Sequence, residues 1–247
     1  MGLIGDLLST LPEGEVSDVV IGLHWTAVVT STGGCRKCGL ASTLVSNHEH
    51  QDRPDLPDAG HLEKSSGLFL AEYARSDSPL MRSIGVAAIN SLLPINEQSF
   101  IEQNAGQAIV NFGAGKHVVL VGRFPFIPEL IAHVGKLTVL EENPLPGELP
   151  ADSAHEVIPD ADVVAITGMT LLNRTLERLL SLCTDRSFVI LLGPSAPLSP
   201  VLFDHNVDLI CGSIVDDISP VVRTVQQAAN FRQVHQAGVR LVSMSRQ

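Results

Sequence analysis

The second half of the chain alternates short apolar runs with helical segments, and this alternation constrains the fold more than any other feature. Runs 118–121, 163–166 and 188–192 are apolar at every position, which is typical of strands in a parallel sheet that is covered on both faces. The pattern predicts a Rossmann-like, doubly wound, mostly parallel α/β sheet. The predicted elements are strand 117–122, helix 126–134, strand 137–141, helix 152–157, strand 162–167, helix 173–183, strand 187–193, helix 199–205, strand 207–212 and helix 216–230.

A glycine turn follows the first of these strands, and an acidic residue ends the second. Gly122 begins the turn, and Glu141 lies about 20 positions further on, which is the layout with which Rossmann-type domains hold nucleotide-like ligands. The turn contains a single glycine, and Pro125 lacks the backbone N–H that a pyrophosphate would need. We therefore expect a smaller ligand and no dinucleotide cofactor.

Small and hydroxyl-bearing residues follow most of the predicted strands. Because ligands of open α/β sheets bind beyond the carboxyl ends of the strands, these residues are expected to form a pocket floor. The alternative is that they only form turns and helix caps. The candidate ligand-binding residues are Gly122, Arg123, Phe124, Pro125, Glu141, Thr167, Gly168, Thr170, Asn173, Gly193, Pro194 and Ser195.

The first half of the chain has a different organisation, in which strands are followed by helices. We interpret residues 1–105 as an α+β domain and residues 106–247 as the α/β domain. A polar stretch over 46–64 is interpreted as a long loop, and such loops are often functional. The remaining predicted elements are helix 3–10, strand 19–29, a turn at 33–34, strand 39–45, helix 68–74 and helix 80–93.

The charge balance and the amino terminus exclude several classes of partner. The formal net charge is −11, which opposes binding to a phosphate backbone. The first residues lack a basic segment followed by a long apolar one, and no stretch approaches the apolar length of a membrane helix. We expect a cytoplasmic protein that binds a small molecule and neither nucleic acid nor membrane. Self-association stays open.

Four residues in the first half form a candidate metal site. Cys35 and Cys38 have the spacing of a zinc knuckle, and His48 and His50 supply two imidazoles a short distance further on. Four such ligands would suit a transition metal ion such as zinc or iron. The alternative is that the cysteines pack in a hairpin and the histidines face solvent.

The same cysteines allow a second interpretation. Arg36 and Lys37 lie between the two thiols, and neighbouring cations lower the pKa of a thiol. Cys35 or Cys38 could then be a nucleophile or a redox pair. The two cations could equally contact an anionic ligand.

Nine segments of the chain match the sequence pattern of a known family: 83–90, 121–125, 140–141, 146–147, 160–164, 167–168, 173–176, 193–198 and 201–203. Through them the chain resembles the "putative heavy-metal chelation" proteins. The resemblance implies an enolase N-terminal-like domain, a Rossmann-like domain and a cleft between them. It also implies a part in making or processing flavin-, pterin- or siderophore-like molecules that bind metals, and Asn90 joins the candidate ligand-binding residues.

Three hypotheses of function follow. In the first, the cleft binds a heteroaromatic or catechol-like chelating molecule and catalyses its condensation or hydrolysis, with Glu141 accepting hydrogen bonds from it. In the second, the protein holds a metal or a metal chelate without turnover. In the third, a methyltransferase-like domain binds an adenosyl cofactor, whose ribose Glu141 would hold.

Overall fold

The first half of the chain folds into a three-stranded antiparallel sheet flanked by helices. The structure is a computed structural model, which describes residues 2–45 and 56–246. The elements of this half are α1 (Leu3–Ser9), β1 (Glu15–Ile21), β2 (Trp25–Thr32), β3 (Cys35–Ser42), α2 (Gly67–Glu72) and α3 (Pro79–Leu92). The strands lie in the order β1-β2-β3, and α3 packs across β2 and β3.

The second half folds into a larger, mostly parallel sheet, so the predicted α/β fold is confirmed. Its helices are short, and none in the described residues has the length and apolar character needed to cross a membrane. The elements are β4 (Ile101–Glu102), α4 (Ala105–Gly113), β5 (His117–Val121), α5 (Ile127–His133), β6 (Lys136–Glu141), β7 (Leu149–Pro150), α6 (Ala154–Val157), β8 (Val163–Thr167), α7 (Met169–Leu172), α8 (Leu176–Leu182), β9 (Phe188–Leu192), β10 (Leu209–Val215), α9 (Ile218–Gln226), α10 (Phe231–Gln236) and β11 (Val239–Ser245).

The order of the strands places a crevice at a definite point of the sheet. The eight strands lie in the order β4-β11-β10-β9-β8-β5-β6-β7, with β11 antiparallel to β10 and β4 antiparallel to β11. From β5 the chain proceeds to β6 and β7 on one side, then returns to β8 on the other side of β5. The switch point between β5 and β8 is where a doubly wound sheet offers space for a ligand.

The structure corrects several predicted boundaries. The strand predicted over 19–29 is two strands, because the chain reverses after β1. At that reversal Gly22 lies against α9, where a Cβ would be 2.3 Å from the carbonyl oxygen of Val225. The helix predicted over 173–183 begins later, since Arg174 has a φ of 63° and separates α7 from α8. Strand β11 was not predicted, and segment Pro200–His205 is a 3₁₀ helix.

The two halves share one hydrophobic core. Val118 and Leu120 face the side of the large sheet that α4 and α5 cover. On the opposite face, Val119 belongs to the same buried cluster as Leu7 of α1 and Ile84 of α3. Buried side chains therefore pack together across the predicted division at residue 105, and the first half has a fixed position above the sheet.

Candidate functional site

Two glycines and a threonine lie side by side at the carboxyl ends of three adjacent strands. Gly122 follows β5, Thr167 ends β8, and Gly193 follows β9. Both glycines have a φ of +105°, a conformation that L side chains rarely adopt. A Cβ at Gly122 would lie 3.1 Å from the Cβ of Thr167, whereas one at Gly193 would meet nothing within 4 Å. The backbone at Gly193 is thus open to close approach, whereas the side chain of Thr167 fills the space beside Gly122.

An aromatic pair borders these strand ends. A ring carbon of Phe124 lies 3.3 Å from the position of a Cβ on Gly122. Phe124 stacks on Phe126 with ring centroids 5.0 Å apart and an interplanar angle of 12°. Phe126 packs in turn against Gly106 of α4, where a Cβ would be 3.0 Å from the ring. The aromatic pair is therefore held in place by the helix beneath it.

Two neighbouring carboxylates at the end of β6 have different surroundings. Glu142 is exposed and accepts a hydrogen bond of 3.2 Å from Nδ2 of Asn173. The Oδ1 of Asn173 accepts bonds from the N–H and the hydroxyl of Thr175. Glu141 is half-buried, and no donor of the described residues reaches its carboxylate. Gly122, Phe124, Glu141, Thr167 and Gly193 lie at or just after the ends of four adjacent strands, β5, β6, β8 and β9, and we call this stretch of strand ends the open crevice.

Arg123 lies in the turn beside the open crevice, but its guanidinium is already occupied. Its Nε and Nη2 donate to the two carboxylate oxygens of Glu148 at 2.9 Å and 2.5 Å, and Nη2 also donates to the carbonyl of Asn143. The N–H of Leu145 donates to the same carboxylate. The guanidinium first, and then this N–H, lower the pKa of Glu148 to about 2. The pair ties the loop after β6 to the turn after β5.

The other part of the carboxyl edge is covered by the first half of the chain. Ser195 is 2% exposed, and its hydroxyl accepts a bond of 2.9 Å from the N–H of Ser42. Nδ2 of Asn90 donates to the carbonyls of Leu40 and Pro194. These contacts form what we call the closed edge. A ligand-binding role for Asn90, Pro194 and Ser195 stays a prediction, because the structure uses them to join the two halves.

Two further predicted ligand residues are enclosed by the protein. Thr170 is 2% exposed and donates to the carbonyl of Thr167. A Cβ at Gly168 would lie 2.6 Å from the backbone nitrogen of Ala196. Thr170 stabilises the turn after β8, and Gly168 packs against the closed edge. Among the other predicted residues, Pro125 is exposed just ahead of α5.

A small cavity lies within the closed edge. It measures about 30 Å³ and is bordered by Lys37, Cys38, Asn90 and Ser213 among others. Lys37 donates to the carbonyls of Leu92 and Leu93 at the end of α3. This volume suits one or two water molecules and is about tenfold below that of ordinary ligand pockets. The cavity is therefore too small for an organic ligand.

The strand geometry does not bring Cys35 and Cys38 together. Both lie in β3, three positions apart, so their side chains point to opposite faces of the strand. Cys35 is exposed, whereas Cys38 is 8% exposed. Burial and then Asp18 raise the pKa of Cys38 to about 12, which exceeds the lowering effect of Arg36. The expected activation of Cys38 by its neighbouring cations is therefore wrong.

Family models place the chain among known proteins. A model named DUF364 matches residues 104–244, and a model named DUF4213 matches residues 4–93; both carry the description "Putative heavy-metal chelation". The chain belongs to this family. Its sequence is 30% identical over 209 residues to an uncharacterized protein of Methanocaldococcus jannaschii, covering 80% of this chain and 78% of the relative.

Two solved structures from the family have the same fold. A DUF364-family protein of unknown function from Desulfitobacterium hafniense DCB-2 superposes with a TM-score of 0.84 at 26% identity, covering 99% of this chain and 98% of that one. A DUF364-family protein of unknown function from Pyrococcus horikoshii superposes with a TM-score of 0.82 at 19% identity, covering 98% and 99%. The second shows the fold alone.

The described residues do not fit a resident metal ion. Within 2–45 and 56–246, no three His, Cys, Asp or Glu side chains are grouped closely enough to hold one. His48 and His50 lie outside the described residues, so the four-ligand site predicted with Cys35 and Cys38 stays a prediction. The family's description concerns metal chelation, and an ion held by a bound organic molecule is compatible with these side chains.

Sequence reasoning missed two residues next to the crevice. Glu148 lies 25 positions after Arg123, and nothing in the sequence pairs the two. Only the turn at Gly147, with a φ of +95°, shows that the chain folds back there. Phe126 could have been found, because a second aromatic residue two positions after Phe124 in a turn is unusual for a loop exposed to water.

Proposed function

We propose that this protein binds a small, hydroxylated, metal-chelating molecule of heteroaromatic or catechol type in the open crevice. One observation carries the proposal: Glu141 is a half-buried residue at the end of a strand beside the switch point, and no hydrogen-bond donor of the described residues reaches its carboxylate. A carboxylate with reduced access to water gains most from a ligand that donates hydrogen bonds. Hydroxyl and ring N–H groups are such donors.

The surroundings of Glu141 suit a flat ligand. The ring of Phe124 lies over Gly122 and is supported by Phe126, so a planar molecule could pack against an aromatic surface. At Gly193, where a Cβ would meet nothing within 4 Å, the absence of a side chain allows the ligand to reach the backbone. Thr167, at the end of the adjacent strand, offers a hydroxyl. The chain's own residues would bind and orient the organic part of the ligand.

In this proposal the metal arrives as part of the ligand. Catecholate, pterin-like and siderophore-like molecules hold an ion through their own oxygen and nitrogen atoms, so the crevice needs no ligand cluster of its own. This is consistent with the donors found at the crevice, which are carboxylate, hydroxyl and backbone groups. It also agrees with the family's description.

Calorimetric titration with riboflavin and with catechol tests this proposal. Glu141→Gln should weaken the binding of the better ligand by about tenfold to a hundredfold, because hydrogen bonds to a charged group contribute about 1.5–3 kcal/mol. Glu142→Gln is the matched control, since this adjacent carboxylate is exposed and already accepts a bond from Asn173. An equal loss in both variants, or none in Glu141→Gln, would contradict the proposed location.

The same samples separate the remaining hypotheses. Mass spectrometry of the ligand after incubation would show a condensed or hydrolysed product if the protein is an enzyme. Recovery of unchanged ligand with its metal would favour a non-catalytic binding protein. A thermal shift with S-adenosylhomocysteine that is lost in Glu141→Gln would favour the adenosyl-cofactor hypothesis.

A further inference from the structure

Arg123 occupies the position where a Rossmann-like domain holds phosphate. It lies in the turn after β5, next to the switch point, and a pyrophosphate would rest on this turn. The turn offers a phosphate little else: it has one glycine, and Pro125 carries no N–H. Arg123 is thus the group that decides whether an anion is attracted.

Glu148 pairs with Arg123 and so weakens its attraction for an anion. The two side chains form a bidentate pair, in which Nε and Nη2 of the guanidinium donate to the two carboxylate oxygens and the opposite charges offset each other. Glu148 is well suited to hold this pairing, because its side chain is 12% exposed and the N–H of Leu145 binds one of its oxygens at 2.7 Å. The guanidinium therefore faces the loop after β6, which contains both of its partners, Asn143 and Glu148.

The charge that remains at the crevice is negative. Glu141 and Glu142 lie at the end of β6, and only the Nδ2 of Asn173 donates to either of them among the described residues. A phosphorylated ligand would bring a second set of negative charges close to both carboxylates. Because the charge of Glu148 offsets that of Arg123, the turn has no net positive charge to reduce this repulsion.

We propose that Glu148 determines the charge selectivity of the open crevice. By occupying Arg123, it makes the crevice accept a neutral or cationic molecule with adjacent hydroxyls, such as a nucleoside, and reject the phosphate ester of that molecule. This inference rests on the proposed function, since it concerns the same crevice. It names Glu148 as a specificity-determining residue that does not itself touch the ligand's hydroxyls.

Adenosine and AMP form a matched pair of probes that differ by one phosphate. Calorimetric titration of the wild-type protein should show adenosine binding at least about tenfold more tightly than AMP. Glu148→Gln keeps an oxygen for the N–H of Leu145 but removes the charge that holds Arg123. We expect this variant to reduce the preference for adenosine by about tenfold, through stronger binding of AMP.

Two further variants complete the experiment. Glu129→Gln removes an exposed carboxylate from α5 and should leave the preference as in the wild type. Arg123→Gln removes the cation and leaves Glu148 unpaired, so it should weaken AMP binding further. Because Glu148→Gln and Arg123→Gln are expected to act in opposite directions, a general disturbance of the loop cannot produce both results.

Three results would overturn the inference: equal binding of adenosine and AMP to the wild type, an unchanged preference in Glu148→Gln, or no binding of either probe. None of these affects the test of the proposed function, which depends on riboflavin or catechol and on Glu141→Gln. If those ligands bind and AMP binds as well as adenosine, the crevice is the site and Glu148 does not select. If no ligand depends on Glu141, the proposed function itself fails.

Discussion

The open crevice and the closed edge lie along the same row of strand ends, yet their side chains have opposite roles. At the closed edge, Ser195 binds the N–H of Ser42 and Asn90 binds the carbonyl of Pro194, each in the opposite half, and a cavity of only about 30 Å³ lies beside them. At the open crevice, Glu141 has no partner among the described residues, and a Cβ at Gly193 would meet nothing within 4 Å. Similar residue types therefore serve packing in one place and remain available in the other.

This contrast indicates that the first half of the chain determines which strand ends are covered. It contacts Pro194 and Ser195, just beyond Gly193 at the end of β9, and leaves Gly122, Glu141 and Thr167 at the ends of β5, β6 and β8 partly exposed. Arg82 of α3 fixes this position, since its guanidinium donates to the carbonyls of Leu172, Ser76 and Asp77. The predictions below test whether the two regions differ in stability and in access.

The largest expected effect is at the closed edge. Gly168→Ala would place a Cβ 2.6 Å from the backbone nitrogen of Ala196, and backbone on both sides prevents relief, so we expect a loss of about 3 kcal/mol in the free energy of unfolding. Gly147→Ala is the control: its φ of +95° causes strain, but no atom lies within 4 Å, and about 1 kcal/mol is expected. Urea denaturation measures both. Equal losses of unfolding free energy would mean that the closed edge around Gly168 is no more closely packed than the exposed loop around Gly147.

A smaller effect is expected for the hydroxyl that joins the two halves. Ser195→Ala leaves the N–H of Ser42 without its acceptor, and we expect a loss of about 1–2 kcal/mol in unfolding free energy. Ser181→Ala, on the exposed side of α8, removes only a bond to the carbonyl of Arg178 and should change stability by less than about 0.5 kcal/mol. Ser195→Ala should leave ligand binding at the open crevice unchanged. Weaker binding would place Ser195 in the ligand site and would erase the distinction between the two regions.

The smallest expected effect concerns the reactivity of the thiols of Cys35 and Cys38 in β3, and its test needs no substitution. With a pKa of about 12, Cys38 is about one ten-thousandth thiolate at pH 8, and it is buried, so iodoacetamide should modify exposed Cys35 first. The folded protein holds the proton of Cys38 more tightly than the unfolded chain does, so this contribution to stability is present below about pH 9 and is lost as the pH rises towards 12. Mass spectrometry of the alkylated native protein measures the order of labelling. Labelling of Cys38 at the rate of Cys35 would show that the closed edge opens readily.

Much of the sheet could be predicted because its signals are local. Apolar runs such as 188–192 have no solvent-facing positions, and this pattern alone indicates a strand that is buried on both faces. The predicted element boundaries that the structure corrects depend on contacts between residues far apart in the chain. The reversal at Gly22 depends on the backbone of α9, and β11 depends on pairing with β10.

The candidate site was predictable only in part, for the same reason. Gly122, Glu141 and Thr167 could be placed at one edge from topology rules, because parallel strands end on the same side. The sequence could not distinguish Ser195 from Thr167, since both are hydroxyl residues near strand ends. Their difference depends on where the first half packs.

The sequence by itself determined the class of fold and which residues follow the strands at the carboxyl edge of the sheet, because periodicity and strand direction are properties of short segments. The tertiary structure decided which strand ends remain open, how Arg123 is neutralised by Glu148, and that Cys35 and Cys38 point to opposite faces of β3. These features arise from contacts between segments far apart in the chain, and the free energy of such contacts depends on packing and burial that no local pattern encodes.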